Sequence, residues 1–157
     1  MKRKVLRMAA ANLVLGLLDG KNLADIATEA LVEGEDSPSL RILAGLLESS
    51  SSEEQILLEK AFQELAILKP NRIQAALHLS KEIAGKILEG QLSPYQGAKN
   101  IHEISLLVPS ENILSLHPFI YWASEWEERP EDHAFMDNAI IEAAKDLSSL
   151  TKNEEKQ

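Results

Sequence analysis

Cysteine is absent from the 157 residues, which excludes disulfides, thiolate nucleophiles and cysteine-based zinc sites together. Basic side chains are in deficit: 16 Lys and Arg stand against 25 Asp and Glu, a formal net charge of -9. That balance disfavours binding to a phosphate backbone or an anionic membrane and favours a basic partner. Aromatic residues are scarce at 4%, with two Trp, two Tyr and three Phe. No apolar run approaches the ~18 residues needed to cross a bilayer. A G-x-S-x-G elbow, an H-E-x-x-H zinc motif and a Gly-rich phosphate loop are all missing. What remains is an ordinary globular composition, 45% hydrophobic and 26% charged, in a length close to the ~150 residues of one domain.

The opening Met1-Lys2-Arg3-Lys4 has the basic character of an export signal. The following apolar stretch does not continue it, because Arg7 and Asn12 interrupt it and Asp19-Gly20-Lys21-Asn22 offers no small-residue cleavage site. A cytoplasmic location is therefore expected.

Apolar residues recur at three and four throughout, and no segment alternates over a strand's length. The expected fold is all-α, a single compact bundle of about eight short helices over 1–150, with a frayed polar tail at 151–157. The first helix, Val5 to Leu18, is apolar on most sides and is expected at the centre, stopping at Asp19-Gly20. Asn22, Ser37 before Pro38, and Ser93 before Pro94 read as helix caps, and Gly34 and Gly90 as helix ends. The spacing of Ser52 and Gln55 predicts a capping box after the serine run 49–52, and that of Asn71 and Gln74 another. Inner stripes are expected at Leu40, Leu43, Ala44 and Leu47, and at Leu58, Ala61, Phe62, Leu65 and Leu68 up to Pro70. Others are expected at Ile73, Ala76, Leu77, Ala84, Ile87 and Leu88, and at Met136, Ile140, Ala143, Leu147 and Leu150. A new helix is expected to start at Pro118.

Three segments, Asp36 to Gly45 (DSPSLRILAG), Gly90 to Ala98 (GQLSPYQGA) and Ala123 to Glu128 (ASEWEE), resemble a group of small all-helical bacterial proteins of unassigned activity. That resemblance transfers no catalytic residue. In size, acidity and helical content the chain is also similar to bacterial toxin immunity proteins. Such likeness implies capture and silencing of a toxin in the cytoplasm.

The most unusual stretch runs from His117 to Asp137. It holds Phe119, Tyr121, Trp122 and Trp126 beside Glu125, Glu127, Glu128, Glu131 and Asp132. Helical spacing puts Phe119, Trp122 and Trp126 on one face, either core or shared with another chain, and Tyr121, Glu125, Glu128 and Asp132 on another. From Glu103 to Glu142 there are nine acids and Arg129 alone as a base. Carboxylates beside rigid aromatics suit capture of a Lys- or Arg-rich surface. The expected partner-binding residues are therefore Tyr121, Trp122, Glu125, Glu127, Glu128, Glu131 and Asp132, and the expected partner is a basic toxin or nuclease domain. No catalysis, cofactor or metal is expected on this reading.

Two rivals remain at this stage. A metal-dependent hydrolase would use His133 and Asp137, four residues apart, with His102 or His117. A structural subunit would dimerise through the aromatic face. Adjacent acids such as Glu127-Glu128 and Glu53-Glu54 point in different directions from a helix and do not make an acid-base pair. The outline of a helix-turn-helix over Leu23 to Gly45 fails on its long acidic turn, Gly34-Glu35-Asp36, and on Arg41 as the second helix's only base.

Overall fold

The computed structural model describes residues 3–150 except 20, 49, 110 and 112. The expected tail, the Met1-Lys2 start, Gly20 as a stop and Ser49 of the serine run lie outside the described residues. Among those described, the architecture is all-helical as expected, with eight α-helices and no strand. The helices fall into two compact units, Met1–Asn71 and Arg72–Gln157. Residues 67–71, including Pro70, carry no regular structure between them.

The first unit contains α1 (Lys4–Val14), α2 (Leu23–Val32), α3 (Pro38–Ala44) and α4 (Ser51–Glu64). Leu6, Ala9, Ala10, Ala27, Leu40, Leu43, Leu58 and Phe62 form its core. The alanines on α1 and α2 let the helix axes approach, and the leucines and Phe62 fill the remaining space. Asn22 accepts from the Asp25 N–H at 3.1 Å and Ser37 from the Leu40 N–H at 3.2 Å, as expected of caps. The α4 cap is Ser50, accepting from Glu53 N–H at 3.2 Å, rather than Ser52. Four serines in a row offer several equivalent caps, and tertiary packing selects among them.

Helix ends depart more from the periodic reading, several of them through one device. In α1 the Leu17 N–H bonds to Asn12 O and the Gly16 N–H to Leu13 O; α2 repeats the pattern at Glu35 and Gly34. These paired bonds close a helix through one left-handed residue, at Gly16 with φ 72° and Gly34 with φ 102°. The first helix therefore stops at Val14, four residues before the expected Leu18. At the end of α4 the same closure uses Ala66, with Ile67 N–H on Phe62 O and φ 55° at the alanine. Hence Leu68 lies beyond the helix and is 91% exposed; Leu47 is 97% exposed past α3, whose C-cap Gly45 has a right-handed φ of -90°. Both were expected inside. Because a Cβ is disfavoured at positive φ, Ala66→Gly is expected to stabilise the first unit by roughly 0.5–1 kcal/mol after the extra chain entropy of glycine is deducted. A urea midpoint that falls instead would show the alanine is unstrained.

The second unit contains α5 (Arg72–Leu88), α6 (Pro94–Ser105), α7 (His117–Glu128) and α8 (His133–Ser148). Helix α5 packs on α6 and α8, and α7 packs on the same two helices. Ala76, Leu77, Ile101, Leu116, Phe119, Met136, Ile140 and Leu147 are buried. The α8 stripe matches its expectation as far as Leu147, with Leu150 half-buried. Ile73 and Leu88, expected inside, are exposed at the two ends of α5. Ser93 caps α6 through the Gln96 N–H at 3.1 Å. A 3-10 turn over Leu114–Leu116 leads into α7, whose first turn holds Pro118. This proline starts a helix because its missing N–H would have had no partner there.

Candidate interaction surface

Helix α7 positions the residues singled out by the sequence, and its two neighbours complete two aromatic clusters around them. Phe119 is fully buried, as a core residue should be. Trp122 and Trp126, placed on the same face by spacing, are only half-buried. The face, left open between core and interface by the spacing, turns from core at Phe119 to partly open at its later residues.

Trp126 is held on both ring faces and at its indole N–H. Tyr95 of α6 stacks on it with ring centroids 4.1 Å apart and planes at 23°, and His133 of α8 stacks at 3.4 Å and 8°. Two rings this close cannot share one face of the indole, so Trp126 is sandwiched. Its Nε1–H donates to Asp137 Oδ1 at 2.9 Å. His133 Nε2 lies 2.8 Å from the Trp126 carbonyl oxygen. A carbonyl only accepts, so Nε2 carries the hydrogen and donates. The Tyr95 hydroxyl donates to Glu127, and this bond, with partial burial and the adjacent negative charge, raises the Tyr95 pKa above its ordinary value.

The second cluster is open to solvent. Tyr121 and Phe135 both stand edge-to-face to Trp122, at centroid distances of 4.8 and 5.8 Å and angles of 74° and 76°. Tyr121 is 53% exposed and Phe135 67%. Phe135 and Tyr95 were not among the residues singled out from sequence. The signal for Phe135 was its position next to Met136 but off the α8 core stripe; for Tyr95 there was only the Ser-Pro-Tyr start of α6.

The expected acids divide into two sets. Glu125 is half-buried and paired with Arg129, Nε to Oε2 3.1 Å, and Glu127 accepts from Tyr95. The Glu125 charge is thus paired within the chain, whereas Glu127 keeps its charge and has one oxygen occupied by a neutral donor. Glu128, Glu131 and Asp132 are exposed and make no ion pair or side-chain hydrogen bond among the described residues. Asp132 is not on the face of α7 as expected. The helix ends at Glu128, Pro130 opens a 3-10 turn over Pro130–Asp132, and Asp132 stands at the N-cap of α8 without capping it through its side chain. Pro130 disfavours helical φ and ψ at the preceding Arg129, which takes φ -127° and ψ 76°. The structure thus brings Tyr121, Trp122, Glu128, Glu131 and Asp132 to one α7–turn–α8 segment, with Glu125 and Glu127 engaged inside it.

Two of the residues weighed for a metal site, His133 and Asp137, hold Trp126 through Nε2 and Oδ1. Among the described residues no three His, Asp or Glu side chains form a metal-binding group, so His102 and His117 do not complete one. Arg41, the single base of the helix-turn-helix outline, is bound through its guanidinium to Asp36, whose pKa is lowered by that hydrogen bond and charge. Among the described residues no helix is long and apolar enough to cross a membrane.

Comparison of the chain with protein-family models, with curated proteins and with solved structures finds no match in any of the three.

Proposed function

We propose that this chain is a non-enzymatic acidic binding protein, an immunity-type neutraliser that acts in the bacterial cytoplasm by covering a basic toxin or nuclease domain. The observation that carries the reading is the set of three carboxylates without internal partners, Glu128, Glu131 and Asp132, on the same helix-turn-helix segment as the exposed rings of Tyr121 and Phe135. Free carboxylates steer a cationic partner and orient it. Rigid aromatics give contact area at little entropic cost and are frequent anchors. Occlusion would follow because the basic residues captured are those the partner uses on its own anionic substrate, and an acidic helical surface imitates that substrate's charge.

The test compares the purified chain with its Glu128→Lys, Glu131→Lys, Asp132→Lys variant. All three positions are exposed, so circular dichroism is expected to be unchanged. Capture of basic protein at low salt should fall at least tenfold, and the partner recovered by the parent chain should lose activity when that chain is added back. Undiminished capture by the variant removes this surface, and an active partner in the saturated complex removes neutralisation.

A further inference from the structure

The chemistry of the open aromatic cluster goes further than charge and rests on the binding role just proposed. We infer that the corner formed by Tyr121, Trp122 and Phe135 recognises arginine, taking a guanidinium in preference to a lysine ammonium.

Phe135 is the third residue after Asp132. Asp132 leads from the 3-10 turn directly into α8 with φ -110° and ψ 17°, and residues three apart along such a helical run are surface neighbours. Asp132 makes no side-chain cap bond, so its carboxylate stays available at that spacing from Phe135. A guanidinium can lie flat on an aromatic face and still direct N–H groups from its edge to a neighbouring carboxylate. An ammonium is compact and strongly hydrated, and must shed water to meet the ring. The exposed ring surface of Phe135 and Tyr121 therefore adds to arginine binding and little to lysine binding. Arg129 already pairs with Glu125 on α7, so this segment accommodates one guanidinium of its own. Glu128 lies seven residues after Tyr121, two turns along the same side of α7 and about 10 Å away. The occupant is accordingly an arginine-bearing segment of a basic protein with a second positive charge at that spacing.

The test uses the whole chain and two fluorescent probes of equal length, nona-arginine and nona-lysine, followed by anisotropy at low salt. The arginine probe is expected to bind at least tenfold tighter. Phe135→Ala, at a solvent-exposed position, should bring the arginine probe close to the lysine value with unchanged circular dichroism and leave the lysine probe unaffected. Asp132→Asn should weaken the arginine probe more than the lysine probe. Equal affinity for the two probes, or a preference that survives Phe135→Ala, overturns arginine recognition while leaving the charge-based reading in place. Failure of both probes to bind overturns arginine recognition and counts against that reading as well.

Discussion

Trp126→Ala is expected to destabilise the second unit by about 3 kcal/mol, the lower end of the range for removing a tryptophan from a packed site. The low end applies because Trp126 is half-buried. The substitution deletes two ring contacts, to Tyr95 and His133, each worth about 0.5–1.5 kcal/mol beyond area burial. It also leaves Asp137 without its indole donor. Trp126→Phe separates these contributions, since it keeps a ring in the sandwich and loses the hydrogen bond; it should cost about 1–2 kcal/mol. Both tryptophans of the chain lie in the second unit, so Trp122 fluorescence still reports urea unfolding of that unit in either variant. A Trp126→Ala midpoint within experimental error of the parent would mean the stack joins α6, α7 and α8 in geometry but not in energy.

Gly97→Ala reverses the usual sign of a glycine-to-alanine change in a helix. In an open helix interior the added methyl group stabilises by about 1 kcal/mol. Gly97 is buried on α6, and a Cβ there would overlap Ile87 Cδ1 and Cγ1 on α5. Ile87 is itself buried at 5% exposure. Its terminal methyl can rotate away, but moving Cγ1 requires a new χ1 in a close-packed place, or separation of the two helices. The overlap should outweigh the gain in propensity, giving a net loss of about 1–3 kcal/mol. For a unit of this size that is a fall in melting temperature of about 5–15 °C. In an Ile87→Ala background the obstacle is gone, and Gly97→Ala should become neutral or stabilising. The resulting coupling in a double-mutant cycle is expected to exceed 1 kcal/mol. Independent, additive effects would show that the helices part at no cost and that close approach is not why glycine stands at this position.

Features governed by neighbours in sequence were readable before any coordinates. The caps at Asn22, Ser37 and Ser93 were identified because a cap bond spans three residues and depends on little else. Pro118 as a helix start and the α8 stripe followed from equally short-range rules. The Glu125–Arg129 pair is an i,i+4 spacing, legible in principle, yet the sequence reading assigns Glu125 to the partner surface and takes Arg129 only as the one base of the stretch. Errors gathered where a stripe ran past a helix end. Leu47 and Leu68 continue the apolar period of α3 and α4, and nothing in an alanine announces that Ala66 will take the left-handed conformation.

Within the candidate surface, composition and spacing alone determined that acids and aromatics concentrate between His117 and Asp137, because helical periodicity is a property of one segment. Only tertiary structure decided which of those groups remain available. Tyr95 arrives from α6 to occupy Glu127 and one face of Trp126, and His133 and Asp137 are drawn from a metal-like pattern into holding the indole. Phe135 comes from α8 to join Tyr121 at Trp122. Such pairings depend on how one helix is rotated against the next, a quantity set by the packing of the whole unit and not by the order of residues along any one element.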